Sequence, residues 1–119
     1  MIVKNPDLGT SGEEIACRFL RNKGYTILQR NYRARSGEID IVARIDSTII
    51  FVEVKTRASG GFAQPWEAVG HRKRRKLVTV AKLYVEEHSI RDMDFRFDVI
   101  SILWSSAGQP EIEWIQSAF

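Results

Sequence analysis

Two short runs hold the residues best suited to chemistry, Gly37-Glu38-Ile39-Asp40 and Glu53-Val54-Lys55. Around them apolar and charged residues alternate with a period of two, so residues 37–57 predict two strands joined by a tight turn. In the first strand Ile39, Ile41, Ala43 and Ile45 share a face, against Glu38, Asp40, Val42 and Arg44. In the second, Ile50, Val52 and Val54 stand against Ile49, Phe51, Glu53 and Lys55. A two-residue loop at Asp46-Ser47, or a four-residue loop centred on it, places Asp40 opposite Glu53 and Glu38 opposite Lys55. Opposed residues have Cβ atoms about 4.5–5.5 Å apart. Two carboxylates at that spacing repel unless a cation lies between them, and hard ions such as Mg²⁺ take oxygen ligands. Lys55 adds a positive charge to the same face. A solvated face with ordinary cross-strand ion pairs fits less well, because Val42, Ile49 and Phe51 make its other end apolar. A sheet apolar on both sides is covered on both.

The flanking residues supply the elements that must position this group. Residues 1–10, with Asn5-Pro6 and Gly9, predict a flexible arm ahead of a single domain over 11–119. Ser11 suits the cap of a first helix running to about Lys23, with Glu13 and Glu14 in its first turn where the helix dipole favours acids. Ile15, Ala16, Phe19 and Leu20 form its apolar stripe, and Gly24 ends it. At 100° per residue, Glu13 falls about 90° from the centre of that stripe and Glu14 nearly opposite it. Glu13 therefore lies at the seam between helix and sheet. Alone it reads as dipole stabilisation; beside Asp40 and Glu53 it becomes a candidate ligand for a metal or a water. Tyr25 to Ala34 predicts a strand, Arg35-Ser36-Gly37 a turn, and 58–64 a loop. Pro65 opens a long helix to about His88, with Trp66, Val69, Leu77, Val80, Ala81 and Tyr84 on its buried face. Phe95–Leu103 and Glu111–Gln116 predict two more strands. The order α-β-β-β-α-β-β points to an α/β fold, a mixed sheet of about five strands flanked by helices on both faces.

The second helix carries the basic run Arg72-Lys73-Arg74-Arg75-Lys76. Lys73 falls within the apolar stripe, where it either snorkels outward or reaches the carboxylates and a phosphate. Arg72, Arg74 and Arg75 project outward and, with Arg33, Arg35 and Arg57 at the strand ends, suit a nucleic-acid backbone bound in a salt-dependent way. Asp98, inside a strand, suits a structural role such as pairing with an arginine. His71 and His88 read as solvated, and Trp104 and Trp114 as core or edge packing.

Bulk properties bound the remaining options. The chain has 119 residues, a net charge of +3, 44% hydrophobic and 28% charged residues, which is ordinary for one globular domain. Cys17 is the single cysteine, so no intramolecular disulfide forms, and with only His71 and His88 the usual zinc ligand sets are out of reach. No apolar run approaches the roughly 20 residues of a membrane span, and no signal-peptide core opens the chain. A cytoplasmic protein is expected.

Gly-Glu-Ile-Asp at 37–40 and Phe-Val-Glu-Val-Lys at 51–55, after a helix bearing Glu13, resemble the restriction-endonuclease-like nucleases. These have a proline-aspartate followed by acid-x-lysine. The closest likeness is to the small archaeal Holliday junction resolvases and their bacterial relatives, the YraN-like family, over about Gly12 to Ile102. The resemblance implies that Asp40 and Glu53 bind Mg²⁺ or Mn²⁺, that Glu13 completes the acidic cluster, and that Lys55 positions or activates the attacking water. It implies a metal-dependent endonuclease acting on structured DNA, branched forms among the candidates, with a homodimer as a common assembly; Arg35, Arg57, Arg72 and Lys73 are the candidate contacts to the nucleic acid. Ile39 stands where the signature proline would be; the aspartate still supplies the ligand. Two alternatives remain at this stage: a non-catalytic nucleic-acid-binding module that kept the fold, and a protein-interaction domain whose acids and bases merely pair.

Overall fold

The computed structural model describes residues 8–58, 70–104 and 109–119. Its elements are α1 (Leu8–Asn22), β1 (Thr26–Ala34), β2 (Gly37–Ile45), β3 (Thr48–Ala58), α2 (His71–Glu87), β4 (Asp94–Trp104) and β5 (Glu111–Ile115). The five strands lie in the order β1-β2-β3-β4-β5. β1, β2 and β3 form an antiparallel meander, β3 and β4 run parallel, and β5 returns antiparallel to β4. The parallel pair needs a crossover, and α2 lies within it. This is the expected α/β fold with a mixed five-stranded sheet and a helix on each face, compatible with a restriction-endonuclease-like fold.

Both faces of the sheet are buried, which explains why its central strands carry so little polar alternation. Ala16, Cys17 and Leu20 of α1 pack on Ile41, Ala43, Ile50, Val52, Ile100 and Ile102. Leu77, Val80, Ala81 and Tyr84 of α2 cover Tyr32, Ile39, Val42, Ile49, Phe51 and Val99 on the other side. Burial pushes the Cys17 thiol above its usual pKa, as expected of a packed, unreactive cysteine.

Helix ends show where local signals won and where they lost. α1 stops as expected at Gly24, whose φ of 91° is left-handed. Gly24 N–H bonds to the Arg21 carbonyl and Tyr25 N–H to that of Leu20, a Schellman closure. Its start differs from the expectation. The helix begins at Leu8, so Leu8–Thr10 are helical rather than part of an arm, Ser11 is interior rather than a cap, and Glu13 and Glu14 fall beyond the first turn. α2 begins at His71, not Pro65, with the extended Gly70 as N-cap. Glycine disfavours a helix interior, so it ends the element from that side. Pro65, Trp66, Val69 and the loop expected over 58–64, beyond Ala58 itself, lie outside the described residues.

Candidate active site

The site forms where β2 parts from β3. The expected register holds from Ile45↔Thr48 to Ile41↔Val52 and goes no further. Asp40–Glu53 and Glu38–Lys55 are therefore not ladder pairs. Instead the Val54 N–H donates to Asp40 Oδ2 at 2.8 Å, so a side chain takes the place of a backbone acceptor. β3 meanwhile stays paired with β4 out to Ala58↔Trp104. The alternation of β2 also breaks at Asp40. Ile39 packs on the α2 side and Ile41 on the α1 side, so the single face expected for them does not exist. On β1, Asn31 lies between the pairs Arg30↔Ile41 and Tyr32↔Ile39 and has a φ of 53°. Asparagine tolerates that left-handed backbone, which re-aims both strands here. Glu38 turns to β1 and pairs with Arg33 at 3.4 Å.

The divergence brings Asp40 near Glu53 without a ladder between them. Glu53 is buried, and its Oε1 accepts from Lys73 Nζ at 2.8 Å and lies 3.4 Å from Lys55 Nζ. Burial and the charge of Glu53 push the Asp40 carboxyl up to about 7; the Val54 N–H opposes this, and Glu13 and Glu38 add to it. Burial, followed by the neighbouring Lys73, pulls the Lys55 ammonium below the ordinary lysine range, although Glu53 works the other way. For Lys73 burial acts against the charge, but the hydrogen bond to Glu53 and its negative charge outweigh it and raise the pKa. Of the two readings open for Lys73, the structure adopts the one that reaches the carboxylates.

Glu13 is half-buried on α1, close enough to Asp40 for its charge to be felt there. Its approach depends on Gly12, where a Cβ would collide with Thr56 Oγ1 of β3. Among the described residues, however, no three acidic, histidine or cysteine side chains gather tightly enough to enclose a metal ion. Asp40 and Glu53 are the two hard oxygen donors that could hold one, with waters completing its shell. The ammoniums at Glu53 mark a place where positive charge is required.

Asp98 takes the structural role expected of it. Arg96 donates to both its oxygens at 2.8 Å, Trp114 Nε1 donates to Oδ2 at 2.8 Å, and Ser117 N–H donates to Oδ1 at 3.0 Å. Trp114 also meets Phe19 and Tyr25 edge-on. His88 is exposed at the α2 C-cap and stacks on Tyr84, and His71 is exposed at the helix start, so neither reaches the acids.

Beside the acids lies a cationic cleft. A cavity of about 520 Å³ is lined by Arg35, Ser36, Arg72, Arg75, Lys76 and Thr79. A second, of about 390 Å³, shares Ser36, Arg72 and Lys76 and adds Glu38, Lys73 and Leu77, which carries it toward Glu53. The ion pairs of the described residues leave Arg35, Arg72, Arg75 and Lys76 without a carboxylate. Of the expected nucleic-acid contacts, Arg35, Arg72 and Lys73 meet here, while Arg57 sits near the end of β3 and is not part of the lining. Ser36, Lys76 and Thr79 are additions. The i, i+3 and i+4 spacing of Arg72, Arg75, Lys76 and Thr79 on one helical face was the available signal.

A profile of the uncharacterised protein family UPF0102 matches residues 12–102. The chain belongs to that family. The match spans Glu13, Asp40, Glu53, Lys55 and the whole of α2. Among relatives, the UPF0102 protein of Alkaliphilus oremlandii is 48% identical over 100 residues, covering 82% of this chain and 86% of that one. That of Geobacter metallireducens is 46% identical over 119 residues, 100% and 97% of the two chains. The Clavibacter michiganensis protein is 44% identical over 117 residues, 98% and 99%. No helix among the described residues is long and apolar enough to cross a membrane.

Proposed function

We propose that this protein is a metal-dependent nuclease of the restriction-endonuclease-like superfamily, hydrolysing phosphodiester bonds in structured DNA. The observation that carries the reading is the Asp40–Glu53 pair. Asp40 is set into the opening between β2 and β3 and pushed up to about 7 by burial and by Glu53, a strain that a divalent cation would relieve. Mg²⁺ or Mn²⁺ suits two carboxylates, and when bound it supplies a more acidic water and neutralises charge on the scissile phosphate. Asp40 and Glu53 would hold the ion, and Glu13 would orient a water of its shell from the α1 side. Lys55, partly buried and with a lowered pKa, would stabilise the charge that develops on the phosphate and steer the attacking water. Arg35, Arg72 and Lys73 would seat neighbouring phosphates in the cleft, with Arg57 at the strand end.

The test is a cleavage panel of duplex, nicked, flapped and four-way DNA with Mn²⁺, run beside Glu53→Ala. Cutting by wild type that vanishes in the folded variant supports the reading. Salt-sensitive binding with no cutting under any divalent ion would replace it with the non-catalytic module.

A further inference from the structure

We infer that Lys73 is a positioning residue that couples cation binding at Glu53 to phosphate binding in the adjacent cleft. This rests on the reading of Asp40 and Glu53 as a site for a divalent ion. Glu53 Oε1 is claimed by two ammoniums, at 2.8 Å from Lys73 and 3.4 Å from Lys55. An ion shared between Asp40 and Glu53 competes with both ammoniums for the negative charge of that carboxylate. The two lysines are not equivalent in what they can do next. Lys55 sits on β3 two residues beyond Glu53, on the same face, and stays beside it whatever binds. Lys73 comes from a different element, its side chain is 41% exposed, and it already lines the cleft that Arg72 and Lys76 share. It has somewhere to go.

The start of α2 gives that destination its pull. Six residues, His71 to Lys76, are basic or imidazole; the first turn holds no acid, and no side chain caps it. Positive charge at a helix N-terminus opposes the dipole, and like charges at i, i+4 repel, so the segment is destabilised without an anion. A backbone phosphate in the cleft offsets both effects and draws Lys73 off Glu53. Glu53 then becomes available to the ion, and an ion at Glu53 releases Lys73 to the phosphate. Coupling of this kind is reciprocal. The free protein holds its ion site closed with its own ammonium and opens it when nucleic acid arrives.

The experiment is calorimetric titration of Ca²⁺, an oxygen-seeking probe, into wild type, Lys73→Met and Lys76→Met. Each is measured alone and with a short duplex oligonucleotide, after circular dichroism confirms folding. Lys76→Met removes the same charge from the cleft without touching Glu53. Expected are an affinity about fivefold tighter in Lys73→Met without DNA, little change in Lys76→Met, and a gain on adding duplex that is larger in wild type than in Lys73→Met. Equal affinities in wild type and Lys73→Met, or a duplex-induced gain that survives in Lys73→Met, overturn the coupling and leave the ion site standing. Failure of both wild type and Lys73→Met to bind any ion overturns the site itself and the coupling with it. Should Lys73→Met not fold, Lys73→Gln carries the same comparison.

Discussion

Asp98 and Asp40 are both aspartates held inside strands of one sheet, and their surroundings are opposite. Asp98 is 1% exposed and every nearby donor is aimed at it: both arms of Arg96, the Trp114 indole and the Ser117 amide. That network ties β4, β5 and the C-terminal turn together, and its charge is cancelled where it stands. Asp40 receives one backbone N–H and faces Glu53, with Glu13 and Glu38 adding further negative charge. A satisfied buried acid is structure. An acid left with so little compensation at a place where two strands separate is a candidate site, because folded proteins break their local rules mainly where function requires it.

The contrast can be broken first on its structural side. Arg96→Ala strands the Asp98 carboxylate in the core and is expected to lower unfolding stability by about 3–5 kcal/mol in urea titration. A loss under about 1 kcal/mol would erase the distinction between the two acids. On the side of the proposed nuclease site, Lys55→Met is expected to slow Mn²⁺-dependent cleavage by about 10²–10³-fold while the melting temperature stays near wild type. A variant that cuts normally removes Lys55 from the chemistry.

Burial and the charge of Glu53 hold the Asp40 carboxyl up at about 7, above the ordinary 3.8 of an aspartate. Its contribution to stability is therefore fully present below about pH 3.8 and lost as pH rises through about 7. Asp40→Asn, which keeps an acceptor for the Val54 N–H, should match wild type near pH 4 and exceed it at pH 8 by up to about 4 kcal/mol in the absence of divalent ions. Saturating Mg²⁺ should cancel that excess. The smallest expected effect is in the cleft: Arg75→Ala should reduce the salt slope of DNA binding by about one unit, measured by anisotropy across ionic strengths.

Much of this was legible in the chain. Alternation on either side of Asp46-Ser47 gave the β2–β3 register over Ile41–Ile45, since a slip by one residue would expose every apolar side chain. The apolar stripes of α1 and α2 gave the two covered faces, and Asp98 inside a strand suited pairing with an arginine, which turns out to be Arg96. What stayed hidden depends on contacts far apart in sequence. The parting of β2 from β3 at Asp40 requires the left-handed turn at Asn31 of β1 and the Val54 amide of β3, and no local pattern encodes either. The helix starts were misplaced because Ser11 and Pro65 are good starters in isolation, whereas Gly70 sets the first residue of α2. Lys73 could be placed in the stripe, but not on Glu53.

The most direct test follows the Asp40 carboxyl carbon by NMR through a pH titration, with and without Mg²⁺. A midpoint near 7 that moves clearly downward when Mg²⁺ is added is the predicted result. A midpoint in the ordinary aspartate range, unmoved by the ion, contradicts the account.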